Sequence, residues 1–152
     1  VKAPKLRRQA TAKGDIMQFM LLLKGDVPIE PGSNAPQVDF DPAELVNAMH
    51  EFNDEMSKAG IMIANAGLMP SAFGARVIYR DSKRTVVDGP FAEAKELIAG
   101  FYIIDVKSQA EAIEWASRCP VHHAVVSPDQ EAVIEVRQIG HSADEVYPEL
   151  KG

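Results

Sequence analysis

Thr85-Val86-Val87-Asp88-Gly89-Pro90-Phe91-Ala92-Glu93-Ala94-Lys95-Glu96 carries the sharpest change of pattern in the chain. Val86 and Val87 favour extended backbone. Asp88-Gly89-Pro90 then breaks it: Asp bonds the backbone that follows, Gly permits unusual dihedrals, and Pro fixes the chain direction. Phe91 is a large apolar anchor just past the break, and Glu93, Lys95 and Glu96 bring back three charges. A turn that presents a carboxylate, an aromatic ring and an ammonium together is either a site or a well-tied corner.

Working outward, Ala75 to Tyr79 and Arg84 to Val87 flank the polar Arg80-Asp81-Ser82-Lys83 and predict a hairpin. Gly100 to Val106 predicts a strongly apolar strand after the turn. Ile16 to Leu23 is nearly continuous in apolar residues, the pattern of a strand buried on both faces. Ile61 to Ala66 and Ala132 to Ile139 read as two further strands. Asp41 to Ala59 predicts the first helix, with Asp41 as cap, Pro42 at the first helical position and Glu44 three residues on. Leu45, Met49, Phe52 and Met56 form its apolar stripe, and Gly60 stops it. Ser108 to Arg118 predicts the second helix, capped by Ser108 with Glu111 completing Ser-x-x-Glu and ended by Cys119-Pro120. Val27 to Asp39, with Pro28, Pro31 and Pro36, is a long loop.

With the hairpin set aside, the order is strand–helix–strand twice over. This predicts an α+β fold, a ferredoxin-like split βαβ with an inserted β-hairpin, both helices lying on one face of an antiparallel sheet. Met17–Leu23 and Phe101–Ile104 are apolar on both faces, so the second sheet face needs a cover. A homodimer through sheet-to-sheet packing is the expected solution.

A chain of 152 residues suits one domain with a real core. Its net charge of −6 is uneven: residues 1–16 hold five basic side chains against Asp15. They are expected to be a basic flexible leader or an added extension, with the domain at 17–140 and a polar, fraying tail at 141–152. An acidic body repels phosphate, so nucleic acid is not an expected partner. No apolar run approaches the roughly 18 residues that cross a bilayer, so no membrane partner is expected either. Cys119 is the single cysteine, which excludes an intrachain disulfide and makes the reducing cytoplasm the expected location.

Several stretches carry a family resemblance: MQFMLLLKGD, FNDEMSKAG, AGLMPSAFGARV, VVDGPFAEAKELIAGFYIIDV, AIEWASRCP and IEVRQI. Over Met17 to about Ile139 the chain resembles the YCII-related superfamily, more closely its DGPF-domain branch, with DGPFAEAKE the most specific run. The resemblance implies a ferredoxin-like protomer and a dimeric α+β barrel. Some relatives look like small lyases or dehydrochlorinases using a His–Asp pair. Here Met49 stands at the position best matching that His, with His50 one residue late, which turns a side chain about 100° around a helix. Cys119-Pro120 replaces the Asp-Pro step. The pair is therefore not carried over.

Asp88 remains as the candidate general base or acid, since an apolar setting near Phe91 would raise its pKa. The competing reading is an Asx-turn residue. His50 is the second catalytic candidate, against the commoner reading of a helix-surface histidine. Ser71, Arg76, Phe91, Lys95 and Glu96 are the ligand-binding candidates. Arg76 could grip a carboxylate, as could Arg137, or snorkel from an edge strand; Lys95 and Glu96 could orient an anionic ligand or pair across the turn. His122-His123 is not expected to hold a metal, because neighbours in extended chain point apart. No cofactor is expected, as Walker, Rossmann and nucleophile-elbow patterns are missing from the sequence. Three functions stay open. One is a cofactor-independent, lyase-like or proton-transfer enzyme acting on a small polar or aromatic metabolite. The second is a non-catalytic ligand-sensing or interaction module, linked by resemblance alone to sigma-factor signalling. The third is a vestigial pocket.

Overall fold

Strand β1 (Met17–Lys24) is the hub of the sheet, pairing antiparallel with β5 (Ile98–Val106) on one side and β6 (Ile134–Gln138) on the other. Strand β2 (Met62–Gly67) adds to the far edge of β5, giving the order β2-β5-β1-β6. The register sets Leu21 between Tyr102 and Val136. The computed structural model describes residues 15–152, so the expected leader lies almost wholly outside the described residues.

Alternation along β1 sorts the two faces. Phe19 and Leu21 join Tyr102, Ile104 and Val106 in the core beneath the helices. Helix α1 (Pro42–Lys58) starts where Asp41 accepts a hydrogen bond from Ala43 N at 2.9 Å, and it buries Phe52 and Met56. Gly60 follows with φ +73°, the left-handed conformation that ends a helix. Helix α2 (Gln109–Arg118) is capped by Ser108, whose Oγ accepts from Glu111 N at 3.1 Å. Glu111 reaches back to Lys107 N at 2.9 Å, one residue beyond the cap. Ala112 and Ala116 let α2 sit close to the sheet, and Phe52 meets Tyr102 edge-on at 5.7 Å and Trp115 at 6.3 Å. Tyr102 Oη donates to Asn53 Oδ1 at 2.6 Å, so the buried phenol is satisfied.

The architecture is α+β with an antiparallel sheet, compatible with a ferredoxin-like fold. Three details differ from the sequence reading. β5 begins two residues early, at Ile98, while β6 spans only Ile134–Gln138. The face of β1 away from the helices is not wholly apolar: Gln18, fully buried, donates from Nε2 to Asp105 Oδ1 at 2.9 Å. The tail expected to fray forms a short helix α3 (Ala143–Val146), because Ser142 caps it through a hydrogen bond from Glu145 N.

Strands β3 (Ala75–Arg80) and β4 (Lys83–Asp88) form a separate two-stranded ribbon, exposed along its whole length. Its tip is a two-residue turn with Asp81 and Ser82 both at positive φ, the backbone that matches strand twist. Among the described residues no helix is long and apolar enough to cross a membrane.

Cys119 ends α2 in the core, its Sγ 4.0 Å from Met49 Sδ. Burial pushes its thiol up to about 12, against a smaller lowering by the Val121 backbone hydrogen bond. The thiolate is the nucleophile. Iodoacetamide at pH 8 is therefore expected to leave Cys119 unlabelled in the folded protein and to label it fully in denaturant. Rapid labelling of the native chain, read by intact mass, would contradict this burial.

Candidate functional site

The site grows from a residue that the sequence reading did not name as a site candidate. Asp26 lies two positions past β1 and opens the long loop. Its Oδ1 accepts from Val27 N at 2.9 Å and from Ser71 N at 2.8 Å. Its Oδ2 accepts from the Ser71 hydroxyl, and Ser71 Oγ accepts in turn from Phe91 N at 3.1 Å. Three stretches distant in sequence are thus clipped together: the loop after β1, the 3-10 turn Ser71–Phe73, and the Gly89-Pro90-Phe91 turn, whose Gly89–Pro90 peptide is cis.

Gly89 is required by this approach. A Cβ there would lie 1.8 Å from the Ser71 carbonyl oxygen. Gly89 N donates to Gly74 O at 2.9 Å, holding the turn against the root of the ribbon. The Arg76 guanidinium lies over the Phe91 ring, 3.9 Å from its centroid, a cation–π contact. Arg76 is therefore engaged by an aromatic face rather than by a carboxylate.

Burial alone would raise the Asp26 carboxyl. The hydrogen bonds from the Ser71 hydroxyl, Ser71 N and Val27 N outweigh it, so its pKa falls below the ordinary aspartate value. Asp26 is an anion at neutral pH and an acceptor rather than an acid. It stands in the wall of a cleft of about 590 Å³, with Lys24, Gln37, Lys95, Gln130 and Glu131 among its neighbours there. Lys95 Nζ is 3.9 Å from Glu131 across this opening, a weak exposed pair. A second cleft of about 500 Å³, lined by Cys119 and His122, shares Val125, Glu131 and Ala132 with the first.

Of the sequence candidates, Ser71 bonds Asp26, Phe91 N bonds Ser71 and Arg76 covers the Phe91 ring, while Lys95 borders the adjoining cleft. Glu96 sits beside Lys95 in the 3-10 turn Ala94–Glu96 and is exposed. Asp88 closes β4 opposite Ala75 and is exposed, not set in apolar surroundings. His50 is exposed on α1 and lines neither cleft. Arg137 is bonded to Glu135 at 3.1 Å on β6. His122 and His123 do not point apart: the segment is a 3-10 turn, not extended chain, and their ring centroids are 4.4 Å from each other. Among the described residues no group of three or more His, Cys, Asp or Glu is placed to hold a metal ion. Asp26 was the missed residue. Its signal was a carboxylate directly after Gly25 at the mouth of a proline-rich loop.

One sheet backed by two helices, with an inserted ribbon pinned by a carboxylate clip beside a cleft, defines a small α+β protein compatible with a ferredoxin-like fold. The chain belongs to the YCII-related domain family, whose model matches residues 17–139. It is also similar to an uncharacterised protein of Rhizobium meliloti (strain 1021), 41% identical over 59 residues. That match covers 39% of this chain and 48% of the relative, so the chain spans about half the length of the curated relative it matches.

Proposed function

We propose that this chain is a cofactor-independent binding protein for a small polar metabolite, taken up in the cleft beside Asp26. The carrying observation is the Asp26 carboxylate itself. It is ionised, fixed by Ser71 and by two backbone N–H groups, and set in the wall of a roomy cleft. A carboxylate held this way is pre-organised to accept a hydrogen bond from a ligand hydroxyl or amine. Lys95 and Gln130 offer donors in the same cleft. Lyase-like proton transfer is the second reading, favoured by the Ser71 hydroxyl bonded to Asp26. It stands behind binding because a carboxylate below its ordinary pKa is a weak base. Asp88 has no place in either reading.

The DGPF branch, with its sigma-factor association, belongs to this proposal as the resemblance of the DGPFAEAKE run. So does a homodimer: Met20, Leu22, Phe101 and Ile103 stand on the sheet face away from α1 and α2, and a second sheet packed there would close an α+β barrel. The reducing cytoplasm suits a chain with one buried thiol.

A thermal-shift screen of small hydroxy and amino metabolites tests the binding reading. A true ligand is expected to raise the midpoint of the parent and of Asp88→Asn, but not of Asp26→Asn. Equal stabilisation of the parent and Asp26→Asn, or none by any compound, would overturn it. The same variant has a pH signature. The folded pKa of Asp26 is lowered, so its contribution to stability is present above the ordinary aspartate value. It is lost as pH falls through the folded value. The stability gap between parent and Asp26→Asn is expected to be full above about pH 5 and to shrink below it.

A further inference from the structure

Two clefts meet along the loop that follows α2. The one beside Asp26, about 590 Å³, and the one lined by Cys119, about 500 Å³, have Val125, Glu131 and Ala132 as a common wall. Each volume falls in the roughly 300–1,000 Å³ range of ligand pockets. Their chemistry is opposite. The first is lined by four carboxylates, Asp26, Asp39, Asp129 and Glu131, against two ammonium groups, Lys24 and Lys95, a net of −2. Lys95 already faces Glu131 at 3.9 Å, and the Ser127 hydroxyl, donating to Asp129 at 2.7 Å, favours its ionised form. Among the described residues no three acids converge on a metal position, so the charge suits an organic cation. A carboxylate has about four acceptor positions. Val27 N, Ser71 N and Ser71 Oγ take three of those on Asp26 and leave one on Oδ2. The second cleft has Ala116 and Cys119, both buried, in its wall, with Val121 and Ile134 alongside. The Cys119 thiol is neutral and behaves as a small apolar group. The Ser117 hydroxyl is turned back to the Ile113 carbonyl of its own helix at 2.7 Å. Besides Glu131, that leaves His122, which is exposed and stacked on His123.

We propose that the two clefts are one site, for a primary amine with an apolar tail. The ammonium sits at Asp26 Oδ2, and the tail, alkyl or aryl, passes Ala132 and lies against Ala116 and Cys119. This rests on the binding reading above and narrows its ligand. The head is cationic, because the surplus carboxylates of the first cleft repel an anion. An ammonium brings donors only, which is what an acceptor-only carboxylate requires, and its charge strengthens the bond. The tail is apolar, because a polar end in the second cleft would lose water and find few partners. Ala132 sets the selectivity. It stands in the common wall with only a methyl group, and a larger side chain there would narrow the way between the clefts.

Titration of the full chain with propylamine, hexylamine and hexanoate, followed by amide proton–nitrogen NMR, tests this. Each methylene taken from water is worth about fourfold in affinity, so hexylamine is expected to bind about 10- to 60-fold tighter than propylamine. Hexanoate is expected not to bind. The amide signals of Ala116 and Cys119 should move with hexylamine and not with propylamine. Asp26→Asn should weaken both amines at least about tenfold with unchanged dichroism. Ala132→Phe should bring hexylamine down to the level of propylamine and leave propylamine unchanged. Should that variant fail to fold, Val125→Trp blocks the same wall from the loop. Equal binding of the two amines, hexanoate binding as well as hexylamine, or a chain-length preference that survives the block would each overturn the inference. So would shifts confined to the outer sheet face around Leu22. In those cases the cleft reading still stands if small hydroxy or amino compounds bind and are lost in Asp26→Asn. No shift with any amine or hydroxy compound would overturn both.

Discussion

Phe52→Ala is expected to cost about 3–5 kcal/mol, the largest loss of any single truncation proposed for this chain. Phe52 is 3% exposed and touches both Tyr102 and Trp115, so its removal opens a cavity where α1, α2 and β5 meet. The surrounding groups are held by hydrogen bonds, Tyr102 through Asn53 among them, and collapse only in part. For a domain of this size the melting midpoint should fall by about 6–20 °C. Far-UV dichroism measures both, the midpoint by heating and the free energy by urea denaturation. Val46→Ala, on the same helix but 47% exposed, is the control and should change stability by less than about 0.5 kcal/mol. Equal effects of the two would show that Phe52 is not the keystone of the helix layer.

Gly89→Ala is expected to be the second most damaging change. The added methyl would overlap the Ser71 carbonyl, which is backbone and cannot swing aside. Relief requires Ser71 to move, and with it the hydrogen bonds to Asp26 and Phe91. Overpacking of this kind costs about 1–3 kcal/mol or more. Its signature differs from that of Phe52→Ala, because ligand-dependent stabilisation through Asp26 should vanish even at temperatures where the sheet is intact. Gly67→Ala is the matched control, since a Cβ at Gly67 meets nothing within 4 Å. If Gly89→Ala behaves like Gly67→Ala, the clip is not rigid.

Much of the fold was legible because its signals are local. The Asp41 cap, the Ser108 cap, the stop at Gly60 and the apolar run from Ile16 to Leu23 each follow from the chemistry of a few neighbouring residues. The hairpin, too, showed in its flanking β-branched residues and polar tip. The site was less legible, and for a physical reason. Asp26, Ser71 and Phe91 are joined by hydrogen bonds across long sequence separations, and no periodicity connects them. Asp88 drew attention by its place in a strong turn. That turn instead uses Gly89 to admit the Ser71 carbonyl and Phe91 N to hold the Ser71 hydroxyl. Gln18 was hidden in a run of apolar letters, where its partner Asp105 could not be guessed. The stacked His122–His123 rings depended on a 3-10 turn whose residues have no helical pattern.

The central position of β1 has a consequence for biosynthesis. Met17–Lys24 leaves the ribosome well before both neighbours that complete its ladders, β5 and β6. Non-local pairing of this kind slows folding, and the nascent strand stays apolar and unpaired in the meantime. The sheet cannot close until Ile134–Gln138 has emerged, so native structure should appear in one late cooperative step rather than grow along the elongating chain.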